Sequence, residues 1–135
     1  MIRSPSGVAS AQAGASRPVT NVDLAESLCD VSAQLFEARR VHLRAYGCLL
    51  PHVFMGDVLR RIGECLGMPA VRGRAAAKTE LRDILDTLER GMVDGDRETR
   101  NVIALSFSRD SEMEAFFEKL RPLMGPSTRA QLQGR

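Results

Sequence analysis

Between Leu49 and Leu66 the sequence runs LLPHVFMGDVLRRIGECL, and this stretch holds four polar side chains with chemical potential: His52, Asp57, Arg60 and Arg61. A histidine can act as general base, an aspartate can orient it and an arginine can bind an anion, so the set admits a small hydrolase or lyase. Helical spacing counts against the simplest version of that site. Pro51, with its fixed φ and missing N–H, suits a first helical position and starts a helix that runs to about Leu66. On a wheel with His52 as origin, Arg60 falls at about 80°, Asp57 at about 140° and Arg61 at about 180°. Histidine and aspartate therefore project to different sides. Asp57 instead has Arg60 and Arg61 one turn on, the spacing of a helical ion pair.

A second polar group, Asp94, Asp96 and Glu98, has the alternation of a calcium loop. The sixth position of such a loop would be Thr99 where glycine is needed, and the twelfth Leu105 where a bidentate glutamate is needed. Acids ahead of Arg97 fit a helix start instead, and contact with a basic partner is the binding role that remains for Asp94 and Asp96. Ser106 lacks the GxSxG context of a strained nucleophile, and no GxxxxGK[ST] or GxGxxG phosphate loop occurs. No cofactor is expected.

The elements that must position these residues follow from periodicity. A helix starts at Thr20 or Asn21 and runs to Gly47, with Leu24, Leu28, Val31, Leu35, Ala38, His42 and Tyr46 on one stripe and Ala25, Cys29, Phe36 and Leu43 on a second. Two stripes mark it as the central helix, buried on two sides, with His42 as a core histidine satisfied by a hydrogen bond. The next helix, Pro51–Leu66, gathers Phe54, Met55, Val58, Leu59, Ile62, Cys65 and Leu66 on its apolar arc, while Gly56 and Gly63 on one flank admit a close backbone approach. After a loop, a helix resuming at Ala75–Ala77 or Thr79 carries the narrow stripe Ala77, Leu81, Ile84, Leu85, Leu88 and Met92, the pattern of an outer helix. A buried helix follows from Arg97 to about Ser108, then one opened by a Ser111–Glu114 capping box, then a short terminal helix through Leu132. The predicted architecture is all-α, a compact bundle of five to six helices or stacked helical hairpins, formed by residues 20–135 as one domain. Residues 1–19, small, polar and broken by Pro5, Gly7, Gly14 and Pro18, read as a disordered N-terminal tail.

Composition narrows the partners. Nineteen basic against seventeen acidic residues leave a net charge of +2, too little for strong attraction to a polyanion, so nucleic acid is disfavoured. The three cysteines, Cys29, Cys48 and Cys65, fit neither a zinc site nor a CxxC pair and read as buried reduced thiols, which suits a cytoplasmic location. No apolar run reaches the roughly 18 residues of a membrane span.

Four blocks, Leu50–Asp57, Leu85–Gly95, Ile103–Phe107 and Leu123–Pro126, resemble an uncharacterised family of small all-helical bacterial proteins carrying a Leu-Pro-His-x-Phe-x-Gly-Asp motif. The resemblance covers roughly residues 25 to 133. It implies a compact helical cytoplasmic protein and brings no catalytic residues. By analogy with other small helical families, the leading expectation is a non-enzymatic module that holds a protein partner, such as an immunity protein or a small regulator. The alternatives are the small hydrolase or lyase using His52 and Asp57, and a helix-turn-helix DNA binder.

Overall fold

Thr20 opens the helical body with a reciprocal cap: its hydroxyl accepts from the Asp23 backbone N–H at 3.1 Å while the Asp23 carboxylate accepts from the Thr20 N–H, also at 3.1 Å. From there the computed structural model describes residues 17–67, 74–107 and 114–133 as helices joined by short connections. They are α1 (Asn21–Val31), α2 (Ala33–Tyr46), α3 (Pro51–Leu66), α4 (Arg74–Asp94), α5 (Arg97–Ser106), α6 (Glu114–Leu120) and α7 (Pro126–Gln133), with a 3-10 turn at Arg121–Leu123. The fold is a compact all-α bundle, as the sequence predicts.

One helix was expected from Thr20 to Gly47, and the chain makes two. Ser32 adopts an extended conformation (φ −147°, ψ 113°), which ends α1, and its hydroxyl caps α2 by accepting from the Leu35 N–H at 3.1 Å. The apolar periodicity of the sequence continues across the break and hides it. The two-stripe reading holds for α1, where Leu24, Ala25, Leu28 and Cys29 are buried. It fails for α2, which buries only Leu35 and His42 and leaves Phe36 and Tyr46 exposed.

The centre belongs to α4, the helix that its narrow stripe marked as peripheral. It packs against α1, α3, α5 and α7. Ala77, Leu81, Ile84, Leu85 and Leu88 are buried along it, and Thr87 joins them with its hydroxyl folded back onto the Asp83 carbonyl at 2.7 Å. Close approach at this centre comes from Gly91, where an added Cβ would lie 2.8 Å from Ile103 Cδ1 and 3.2 Å from Leu24 Cδ1. Gly56 is not a packing glycine: a Cβ there would meet nothing within 4 Å. Ser106 is half-buried and donates to the Val102 carbonyl at 2.8 Å. On α5, Val102 and Ile103 are buried but Leu105 is exposed, so that helix buries one face and not its whole circumference.

The first and last of the described segments are tied in by polar contacts. Val19 forms a parallel bridge with Gly95, its N–H donating to the Asp94 carbonyl at 2.9 Å and its carbonyl accepting from the Asp96 N–H at 2.8 Å. Residues 17–19, assigned to the tail by composition, are thus part of the body, and residues 1–16 lie outside the described residues. At the other end, Glu89 of α4 caps α7. Its carboxylate accepts from the Ser127 N–H (2.9 Å), the Thr128 N–H (2.8 Å) and the Thr128 hydroxyl (2.9 Å), and Gly125 leaves the room it needs. The Ser111 end of the predicted capping box lies outside the described residues. Among the described residues no helix is long and apolar enough to cross a membrane, and no strand forms beyond the bridge.

Candidate functional site

α3 forms where the sequence places it, from Pro51 to Leu66, and its arc of Phe54, Met55, Val58, Ile62 and Cys65 is buried. With that arc turned inward, Asp57, Arg60 and Arg61 come to line a groove between α3 and α2. The four residues Gly47–Leu50 connect the two helices and turn the chain back on itself, with Gly47 in the left-handed region (φ 79°) as the α2 cap. The groove encloses about 470 Å³. Its apolar end, at the turn, is formed by Val41, Ala45 and Tyr46 of α2 and Val53 of α3; Val41, Tyr46 and Val53 are each about half exposed. Its polar end carries Glu37, Asp57, Arg60, Arg61 and Glu64.

His52 is exposed on the first turn of α3, outside the groove, while Asp57 pairs with Arg60 inside it. The structure therefore does not bring His52 and Asp57 together, in keeping with their projection on the helix. Arg61, the other cation spaced to reach Asp57, goes elsewhere. Its Nε and Nη2 donate to Glu80 of α4 at 2.7 and 2.8 Å, and its Nη1 donates to Glu64 at 3.0 Å. Glu80 also accepts from the Ser32 hydroxyl at 2.6 Å. One carboxylate thus joins the α1–α2 break, α3 and α4. Hydrogen bonding from Arg61 holds the Glu80 carboxyl below its ordinary range against the opposing effect of burial, and Glu80 in turn holds Arg61 protonated.

His42 closes the apolar end. It is buried, and its Nε2 accepts from the Leu50 backbone N–H at 2.9 Å, which requires the neutral ring with its proton on Nδ1. Its ring lies 4.9 Å from Tyr46 and 6.0 Å, edge-on, from Phe54. The expected core histidine is satisfied, and it also settles the turn that leads into α3, whose first residues have no side-chain cap.

Asp94 and Asp96 lie apart from the groove. Asp96 caps α5 by accepting from the Thr99 N–H at 2.8 Å, as acids before a helix should, and Asp94 is the exposed last residue of α4. Among the described residues no cluster of three histidine, cysteine, aspartate or glutamate side chains is placed to hold a metal ion. Cys29 and Cys65 are buried, and burial pushes both thiols upward, whereas Cys48 is exposed in the α2–α3 turn, contrary to its apolar surroundings in sequence.

Of the residues singled out in the sequence, Asp57, Arg60 and Arg61 lie on the α3 wall of the groove, whereas Val53, Glu64 and the whole α2 wall were not foreseen. Val41, Ala45 and Tyr46 were either left out or assigned to the core because the unbroken stripe masked the Ser32 cap; Ser32 three residues before Leu35 was the available signal. Glu80 gives no such signal, since only folding brings it to Arg61. No family model matches the chain, and no curated protein or solved structure matches it.

Proposed function

We propose that this protein is a non-enzymatic protein-binding module and that the α2–α3 groove is its docking surface. The observation that carries this reading is an uncovered apolar wall, Val41, Tyr46 and Val53, set beside charges that already have partners within the chain. A partner's apolar side chains can bury that wall without having to neutralise a free charge, and such burial yields roughly 25 cal/mol per Å². The separation of His52 from Asp57 weighs against catalysis at the same stretch. An immunity protein that blocks a toxin, or a small regulator, would work through a surface of this kind. The test is co-purification of the full chain with its partner, repeated with Val41→Asp and Val53→Asp. Both positions are exposed, so the helical circular dichroism should be unchanged while the partner is lost. A wild-type chain that runs alone in every preparation, or variants that keep the partner, would sink the reading.

A further inference from the structure

We propose that α2 is a hinged flap that swings to open and close the groove; the purpose assigned to the motion rests on the docking reading above, and the motion itself does not. Both ends of α2 leave helical geometry within a single residue. At one end Ser32 is a single extended residue between two helices, and at the other Gly47 holds the left-handed conformation that glycine adopts without strain. Between these hinges the helix is lightly seated. It buries two side chains, Leu35 and His42, where α3 buries Phe54, Met55, Val58, Ile62 and Cys65. It packs chiefly on α1 and α3, at the edge of the molecule, whereas α3 is wedged among α2, α4 and α5.

Polar pins hold the flap beside its two buried side chains, the weakest being the thiol of Cys29 on α1, which donates to the Leu35 carbonyl at 3.5 Å. The Ser32 hydroxyl donates to Glu80, and Glu80 is itself fixed by the two bonds from Arg61 on the opposite wall of the groove. At the far end the Leu50 N–H donates to His42 Nε2. Releasing these pins exchanges intramolecular hydrogen bonds for bonds to water, and a 14-residue helix unseated from its neighbours is marginal in water, so the open flap loses its amide protection without global unfolding. An inward swing would cover Val41 and Tyr46, and an outward swing would admit a bulkier segment against Val53.

Hydrogen–deuterium exchange on the full chain, read by peptide mass spectrometry with and without low urea, tests this directly. In the wild type, α2 amides should exchange at least tenfold faster than those of α3 and α4, with a rate that barely responds to urea, while α4 exchange rises steeply with it. Ser32→Ala should speed α2 by roughly a further tenfold and leave α3 and α4 unchanged. An α2 that exchanges in step with α3 and α4 and shares their urea dependence overturns the proposal, and this arm needs no variant to fold. A rigid α2 would leave the docking reading standing, whereas a mobile α2 with no partner captured would defeat the docking reading alone.

Discussion

Glu80 shows how much one carboxylate can organise when it is mostly buried and fully bonded. Its side chain and that of Arg61 are 17% and 16% exposed, so removing the acid leaves a guanidinium with little water to replace it. Glu80→Ala should cost about 2–4 kcal/mol in urea unfolding, near the range for breaking a buried pair. Glu64→Ala, which removes the exposed end of the same network, should cost less than about 1 kcal/mol. The glycines make a second matched pair. Gly56→Ala adds a methyl group to open space in a helix and should stabilise by about 0.5–1 kcal/mol. Gly95→Ala would place its Cβ 2.1 Å from the Gly91 carbonyl oxygen, a contact that only backbone movement can relieve, and should lower the urea midpoint clearly. Sequence pattern distinguished neither outcome: the space beside Gly56 depends on how α3 packs, and the clash at Gly95 depends on the path the chain takes as it leaves α4.

At the scale of elements, polar contacts pin one helix to another while the forces that seat them are apolar. Glu89 illustrates the first. Burial pushes its carboxyl upward, but hydrogen bonds from the Thr128 and Ser127 N–H groups and from the Thr128 hydroxyl outweigh that and hold it below the ordinary range. Glu80 is lowered as well, chiefly by Arg61. Both groups bind protons more weakly in the folded than in the unfolded chain. The stability they contribute is therefore complete above the unfolded carboxylate value of about 4.3 and is lost as pH falls through the lower folded values. Urea midpoints should hold steady from neutral pH to about pH 5 and drop below it, and Glu89→Gln should flatten part of that drop while loosening α7 in exchange measurements. An unchanged acid profile in that variant would mean the cap contributes nothing to folding.

For the whole molecule, the organising element is α4, and its stripe sets the energetic centre. Leu88→Ala should cost about 2–5 kcal/mol because Leu88 is fully buried, whereas Val93→Ala on the same helix, where Val93 is 60% exposed, should fall within about 0.5 kcal/mol. A narrow stripe misled the sequence reading because stripe width counts apolar residues and not neighbours. α4 is 21 residues long, roughly 30 Å, so even a narrow face passes under several shorter helices in turn. α2 shows the reverse: a broad stripe of apolar residues with only two of its side chains buried. Of its uncovered apolar positions, Val41 and Tyr46 line the groove and Phe36 does not.

The sequence alone determined that the chain is helical and, apart from the break at Ser32, most of the helix ends. Thr20, Gly47, Pro51 and Asp96 act through backbone geometry and hydrogen bonds within a few residues, so their roles are visible without the fold. It also determined that His52 and Asp57 point apart, since helical phase is a local property. Tertiary structure alone decided which helix is central, which apolar stripe stays open to form the groove, and that Arg61 turns from Asp57 to Glu80. Each of these depends on contacts between residues far apart in the chain, 19 residues for Arg61 and Glu80, and no spacing rule encodes them.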